Sequence, residues 1–162
     1  PLDKNTDIGA VNSKEQLARI TAITATGEAE GANRWTLECE LPAKGFWFRP
    51  TIFTNVTTSN TIARDEIFGP VLSVLTFRTI DEAVEKANNT AYGLSAGVWT
   101  GKGSRILKLS AELKAGVVWA NTYNKFDPAS PFGGYKESGI GREQGKAGID
   151  AYLETKTVII QL

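Results

Sequence analysis

The stretch Val71–Thr122, VLSVLTFRTIDEAVEKANNTAYGLSAGVWTGKGSRILKLSAELKAGVVWANT, decides the fold class. Val71–Phe77 (VLSVLTF) is a short, nearly continuous apolar run launched by Gly69-Pro70, the signature of a buried strand. Thr79 and Glu82 stand at capping-box spacing, and Ile80, Ala83, Val84 and Ala87 then recur at helical period until Asn88-Asn89. Leu94–Thr100 (LSAGVWT) reads as a second strand. A helix from about Ser104 puts Ile106, Leu109 and Leu113 on one face, and Gly116–Thr122 (GVVWANT) reads as a third strand. Strands joined through helices pair in parallel by right-handed crossovers, so the expected class is α/β with a parallel sheet.

Working outward, Ser13-Lys14-Glu15-Gln16 forms a capping box, with Gln16 expected to reach back to the helix start. The helix should run through Leu17 and Ile20 to about Ile23, with a loop over Gly27–Arg34. Trp35, Leu37 and Cys39 alternate with polar residues as in a half-buried strand. Phe46–Phe53 is β-prone but interrupted by Pro50, which favours an edge position. On the other side, Tyr123–Arg142 is rich in Gly, Pro, Ser and Lys, and a stretch this long without regular structure is often functional. Glu143–Tyr152 fits a short helix, and Thr155–Leu162 (TKTVIIQL) fits a closing strand.

Composition narrows the chemistry. The 162 residues carry 18 basic and 18 acidic side chains, so no net field selects nucleic acid or an anionic membrane. No apolar run is long enough to cross a bilayer, and PLDKNTDIGA lacks the features of a signal peptide, which points to the cytoplasm. The absence of methionine means that Pro1 is not a retained initiator. There is no histidine, which removes the commonest general base and zinc ligand, and Cys39 is the only cysteine. Neither a disulfide framework nor a thiolate metal site fits one cysteine, and no metal is expected.

Two segments stand out. In Arg64-Asp65-Glu66-Ile67-Phe68-Gly69-Pro70-Val71, Glu66 and Phe68 are two residues apart and would face one side of extended chain. A carboxylate there can accept both hydrogen bonds of a ribose diol, and an aromatic ring can flank a flat heterocycle. An exposed acidic turn before a strand is the plainer reading. Ser130–Arg142 (SPFGGYKESGIGR) places four glycines within nine residues, either as a flexible surface loop or as an ordered wall that projects Phe132, with Phe126 nearby. It is not a P-loop, because no G-x-x-x-x-G-K-[ST] is present.

RDEIFGPV (64–71), NNTAYGLSAGVWT (88–100) and SPFGGYKESGIGRE (130–143), in this order, resemble the aldehyde dehydrogenase superfamily, and PLDKNTDIGA and GFWFRPTIF match it as well. The resemblance implies a portion of a Rossmann-like, doubly wound parallel sheet. Residues 1–153 would form the C-terminal portion of the catalytic domain, and residues 154–162 an oligomerisation strand. It implies NAD or NADP as cofactor, with Glu66 on the nicotinamide ribose and Phe68 beside the nicotinamide ring. Leu94 would belong to the active-site cleft, and Phe126 and Phe132 to the aldehyde tunnel. The implied reaction oxidises an aldehyde to a carboxylic acid through a cysteine thiohemiacetal and thioester, in a homodimer or homotetramer.

The implied nucleophile, general-base glutamate, oxyanion asparagine and dinucleotide domain belong upstream in the family, leaving no catalytic residue here. Cys39 precedes GFWFRPTIF in a region that varies in the family, and has no basic neighbour to favour a thiolate. The chain is thus expected to be inactive without the remaining dehydrogenase sequence. Two other readings stay open. One is a non-enzymatic piece whose terminal strand adds to a partner's sheet edge, and the other a stand-alone hydrolase using Cys39. Arg142, Glu143, Glu154 and Lys156 read as surface charges, with an Arg142–Glu154 pair as a further expectation.

Overall fold

The computed structural model describes residues 4–162; Pro1–Asp3, which open the PLDKNTDIGA segment, lie outside them. The chain divides into two compact units, residues 1–79 and 80–162.

The first unit contains α1 (Lys14–Ala29), β1 (Asn33–Thr36), β2 (Thr51–Thr54), α2 (Thr61–Arg64) and β3 (Val71–Ser73). Ser13 caps α1 from an extended conformation, its Oγ accepting the Gln16 N–H at 3.1 Å. The helix continues past Ile23 and into the expected loop. Thr21, Thr24 and Thr26, poor helix formers in isolation, donate their hydroxyls to the carbonyls of Leu17, Ile20 and Ala22. Gly27 lies where α1 crosses α2, and a Cβ there would come within 2.6 Å of Ile62 Cγ2. Close helix packing, and not turn chemistry, therefore explains this glycine. The core gathers Ile20, Ala32, Phe53, Val56, Ile62 and Ile67.

The three strands form one sheet in the order β1-β2-β3. β1 is antiparallel to β2 with Asn33 opposite Thr54, and β2 is parallel to β3 with Thr51 opposite Val71. β2 is thus central, contrary to the edge position expected from Pro50. The proline stands just before the first ladder residue, where its missing N–H costs nothing and its carbonyl accepts Leu37 N–H at 2.9 Å. β1 ends at Thr36 with Trp35 exposed, so the expected inward row of Trp35, Leu37 and Cys39 does not form.

The second unit contains α3 (Ile80–Asn88), β4 (Ser95–Val98), α4 (Gly103–Glu112), β5 (Val117–Ala120), a 3₁₀ turn (Lys136–Ser138) and α5 (Gly145–Asp150). β4 and β5 pair in parallel, Ser95 opposite Val117, which gives the β-α-β unit expected from the sequence. β3 belongs to the sheet of the first unit, where it pairs with Thr51-Ile52-Phe53. Asn88 ties the ends of the two long helices, donating to Glu112 O at 2.9 Å and accepting Lys114 N–H at 2.8 Å. Lys108 meets Asp81 at 2.6 Å, and this carboxylate, with Glu112 beside it, raises the lysine pKa.

Residues 155–162 join no ladder, and Val158, Ile159 and Ile160 are exposed. The expected C-terminal strand is therefore not formed among the described residues. Strand structure requires a partner edge, and β-prone residues alone do not supply one.

An inter-element cap joins α1 to α2. Asn60 precedes α2 but turns its Oδ1 to Thr57 N–H at 2.7 Å, so the helix start is capped from elsewhere. Glu30, just past α1, accepts Thr61 N–H at 2.6 Å and Thr61 Oγ1–H at 2.7 Å. The Thr61 hydroxyl, then its N–H, hold the Glu30 carboxyl below its ordinary value of 4.5, with Asn60 and Arg64 adding to the effect. A folded-state pKa lowered in this way contributes stability above the unfolded value, and the contribution disappears as pH falls through the folded one. Glu30→Gln should lower the thermal midpoint at neutral pH and flatten its decline below pH 4.5. Identical midpoint-against-pH curves for the two proteins would remove this role.

Candidate functional site

In the first unit, Arg64–Val71 leaves α2 and feeds β3. Ile67 is buried in the core while its neighbours Glu66 and Phe68 are exposed, so the two candidate residues do flank one inward anchor. The chain is not simply extended there. Phe68 has φ +55°, a left-handed conformation that costs a bulky residue about 1 kcal/mol or more. Its ring is 73% exposed. Among the described residues the Glu66 carboxylate has no hydrogen-bond or ion-pair partner, so its lone pairs are open to a ligand diol. Phe68 and Gly69 line an open groove of about 670 Å³ with Ala10, Val11, Asn12 and Gln16.

Gln16 supplies the contact that sequence reading assigned elsewhere. Its backbone N–H makes the Ser13 cap, but its side chain does not fold back to complete the box. Instead Nε2 donates to Ile67 O at 3.1 Å and Phe68 O at 2.8 Å. Capping-box spacing is a local signal and carries no trace of a partner 51 or 52 residues away.

In the second unit the glycine-rich segment is an ordered loop. Gly93 O accepts the N–H groups of both Gly116 and Tyr135, Ala91 O accepts Glu137 N–H, and Ser138 Oγ accepts Gly93 N–H. Lys136 Nζ donates to the carbonyls of Asn88 and Thr90, both at 2.8 Å, closing the C-terminal end of α3. Gly116 and Gly133 touch backbone to backbone, and a Cβ on Gly116 would collide with Gly133 O. Phe132 and Glu143 exchange both backbone hydrogen bonds, at 2.8 and 2.7 Å. Arg142 donates to Gly134 O and Gly141 O and stacks over Tyr135 at 5.2 Å, so the expected pair with Glu154 is not made.

This anchoring brings Phe126 and Phe132 together, edge to face at 5.3 Å between centroids. They end a longer row of rings. Trp119 meets Phe126 at 5.5 Å and Tyr123 at 4.9 Å, and Tyr123 in turn meets Trp99 at 6.3 Å. Trp119 is the buried anchor, its indole N–H donating to Lys125 O at 2.7 Å. Trp99, Trp119 and Tyr123 are not among the candidate site residues expected from the sequence, although both tryptophans fall in expected strands. The only signal was the density of aromatic residues at the ends of two paired strands. Leu94, partly exposed just before β4, accepts Val117 N–H through its carbonyl at 3.2 Å.

Cys39 lies in the segment between β1 and β2, half-buried, its carbonyl accepting Arg49 Nε–H at 3.1 Å. Among the described residues no group of three or more His, Cys, Asp or Glu side chains is placed to hold a metal ion. No helix among them is long and apolar enough to cross a membrane.

Comparison with known proteins identifies the family. The aldehyde dehydrogenase family model matches residues 1–158. A putative aldehyde dehydrogenase, DhaS, of Bacillus subtilis is 47% identical over 162 residues, covering 99% of this chain and 32% of the relative. Human retinal dehydrogenase 2 is 45% identical, covering 100% of this chain and 31% of its own length. An aldehyde dehydrogenase of Bacillus cereus in complex with NAD+ superposes with a TM-score of 0.90 at 46% identity, over 96% of this chain and 32% of that one. This chain thus spans about a third of the length of these relatives. The family match over nearly the whole chain, together with these relatives, shows that the chain belongs to the aldehyde dehydrogenase family.

Proposed function

We propose that these residues contribute the nicotinamide-riboside and aldehyde contacts of an NAD(P)-dependent aldehyde dehydrogenase, within a Rossmann-like doubly wound sheet completed by further sequence. The observation that carries this reading is the unpartnered Glu66 carboxylate beside the exposed, left-handed Phe68. Both fit the cofactor chemically: the carboxylate can accept two hydroxyl hydrogen bonds, and the ring offers a flat apolar face. The Bacillus cereus relative was solved with NAD+. When bound, the nicotinamide accepts the hydride from the aldehyde carbon.

The chain's own residues would orient the reactants. Glu66 holds the ribose hydroxyls, and Phe68 confines the nicotinamide ring. Phe126 and Phe132, with Leu94, form the apolar wall that excludes water from the aldehyde. Orientation and dehydration lower the barrier, but they do not replace a nucleophile. No candidate here replaces the thiolate, general base or oxyanion donor that the resemblance assigns to the rest of the enzyme. Residues 1–153 are read as the C-terminal part of the catalytic domain, and 154–162 as a strand that pairs within a cytoplasmic homodimer or homotetramer. Exposure of Val158, Ile159 and Ile160 supports that last assignment.

Glu66→Ala in the intact enzyme should raise the NAD(P)+ dissociation constant about tenfold or more, since hydrogen bonds to a charged group contribute roughly 1.5–3 kcal/mol each. An unchanged constant by calorimetry would contradict the assignment. Phe132→Ala should change aldehyde preference, shifting kcat/KM between bulky and small aldehydes by about tenfold while leaving cofactor affinity intact; equal specificity profiles would count against the tunnel role. The isolated 162-residue chain should form no NADH with aldehyde present. Aldehyde-dependent absorbance above the blank would refute the reading that the nucleophile lies in the rest of the enzyme.

A further inference from the structure

The left-handed backbone at Phe68 needs a restraint, because free chain at a bulky residue relaxes to φ below zero. α1 provides two contacts from one face, since residues four apart on a helix lie one above the other. Ile20, fully buried, sits against Gly69 so closely that a Cβ on the glycine would come within 2.5 Å of Ile20 Cδ1. One turn earlier, Gln16 Nε2 presents its two N–H donors to the consecutive carbonyls of Ile67 and Phe68. A carboxamide can serve both acceptors at once, whereas a carboxylate has no donor and a methylene chain offers nothing.

We propose that Gln16 is a positioning residue for the nicotinamide site: it acts through Phe68, holding that backbone in the left-handed conformation that aims the exposed ring. This rests on the reading of Glu66 and Phe68 as cofactor contacts. The Ser13 cap uses only the backbone of residue 16, so substitution of the side chain leaves the helix start intact. The left-handed conformation thus has a polar lock that can be removed separately from the fold.

The test is a double-mutant cycle in the intact enzyme, read as the NAD+ dissociation constant by calorimetry without aldehyde. Gln16→Met, which keeps length but loses both donors, should weaken binding roughly tenfold, as expected for two neutral hydrogen bonds. Gln16→Glu should do the same, and it serves if the methionine protein does not fold. Phe68→Gly removes the ring and makes φ above zero free of strain. In that background the Gln16 substitutions should have no further effect. A loss of the same size in both backgrounds would show that Gln16 acts on the cofactor directly and would overturn the proposal. So would unaltered binding in the single variants. Glu66→Ala separates the two levels: if it too leaves affinity unchanged, the site reading fails, and if it alone weakens binding, only the role of Gln16 fails.

Discussion

α1 can lie against the approach to β3 only because residue 69 has no side chain. Ile20 fills the space a Cβ would occupy, and this contact fixes where Phe68 leaves the core. Much of the first unit is arranged around it. Ile67 turns inward to join Ile20, Phe53 and Ile62, while Glu66 and Phe68 are left outside. The same helix crosses α2 at Gly27, and its end supplies the Glu30 cap. A single helix therefore sets both ends of the Thr61–Val71 segment that carries the candidate cofactor residues. Disturbing a packed core contact costs about 1–3 kcal/mol, so packing is a substantial part of what holds the geometry at Phe68.

The second unit solves a comparable problem with backbone contacts. Twenty residues of irregular chain would ordinarily sample many conformations at a cost of roughly 1–2 kcal/mol each to order. Here Gly93, Gly116, Ser138 and Lys136 hold it at separated points, and the Phe132–Glu143 bridge closes the middle. The ring row then adds edge-to-face contacts of about 0.5–1.5 kcal/mol apiece beyond burial. Close backbone approach contributes at one point, where Gly116 meets Gly133 without an intervening Cβ.

Short-range patterns were readable where one element satisfies its own needs. The Ser13 cap, the apolar period of α3 and the parallel pairing of β4 with β5 follow from residues close in sequence or from a connection rule. What was not readable depends on distant partners. Gln16 looked like a capping-box glutamine because Ser13 is three residues away, yet its side chain binds carbonyls 51 and 52 residues on. Pro50 looked like an edge residue because its own missing donor is visible, while β3, which makes β2 central, is not. The stretch Thr155–Leu162 has strand composition and no strand, since composition cannot create an edge to pair with. For the site, Glu66, Phe68, Phe126 and Phe132 came from motif resemblance; their pairing into an exposed carboxylate–ring set and an edge-to-face ring pair came from geometry.

The two sets of aromatic rings are held by different physics. Phe68 projects into solvent from a strained backbone restrained by the Ile20–Gly69 contact and by the Gln16 hydrogen bonds. Phe132 meets Phe126, and Phe126 meets Trp119, so these rings are held by edge-to-face contact. Phe68 is thus oriented through its backbone, whereas Phe126 and Phe132 are oriented through their rings.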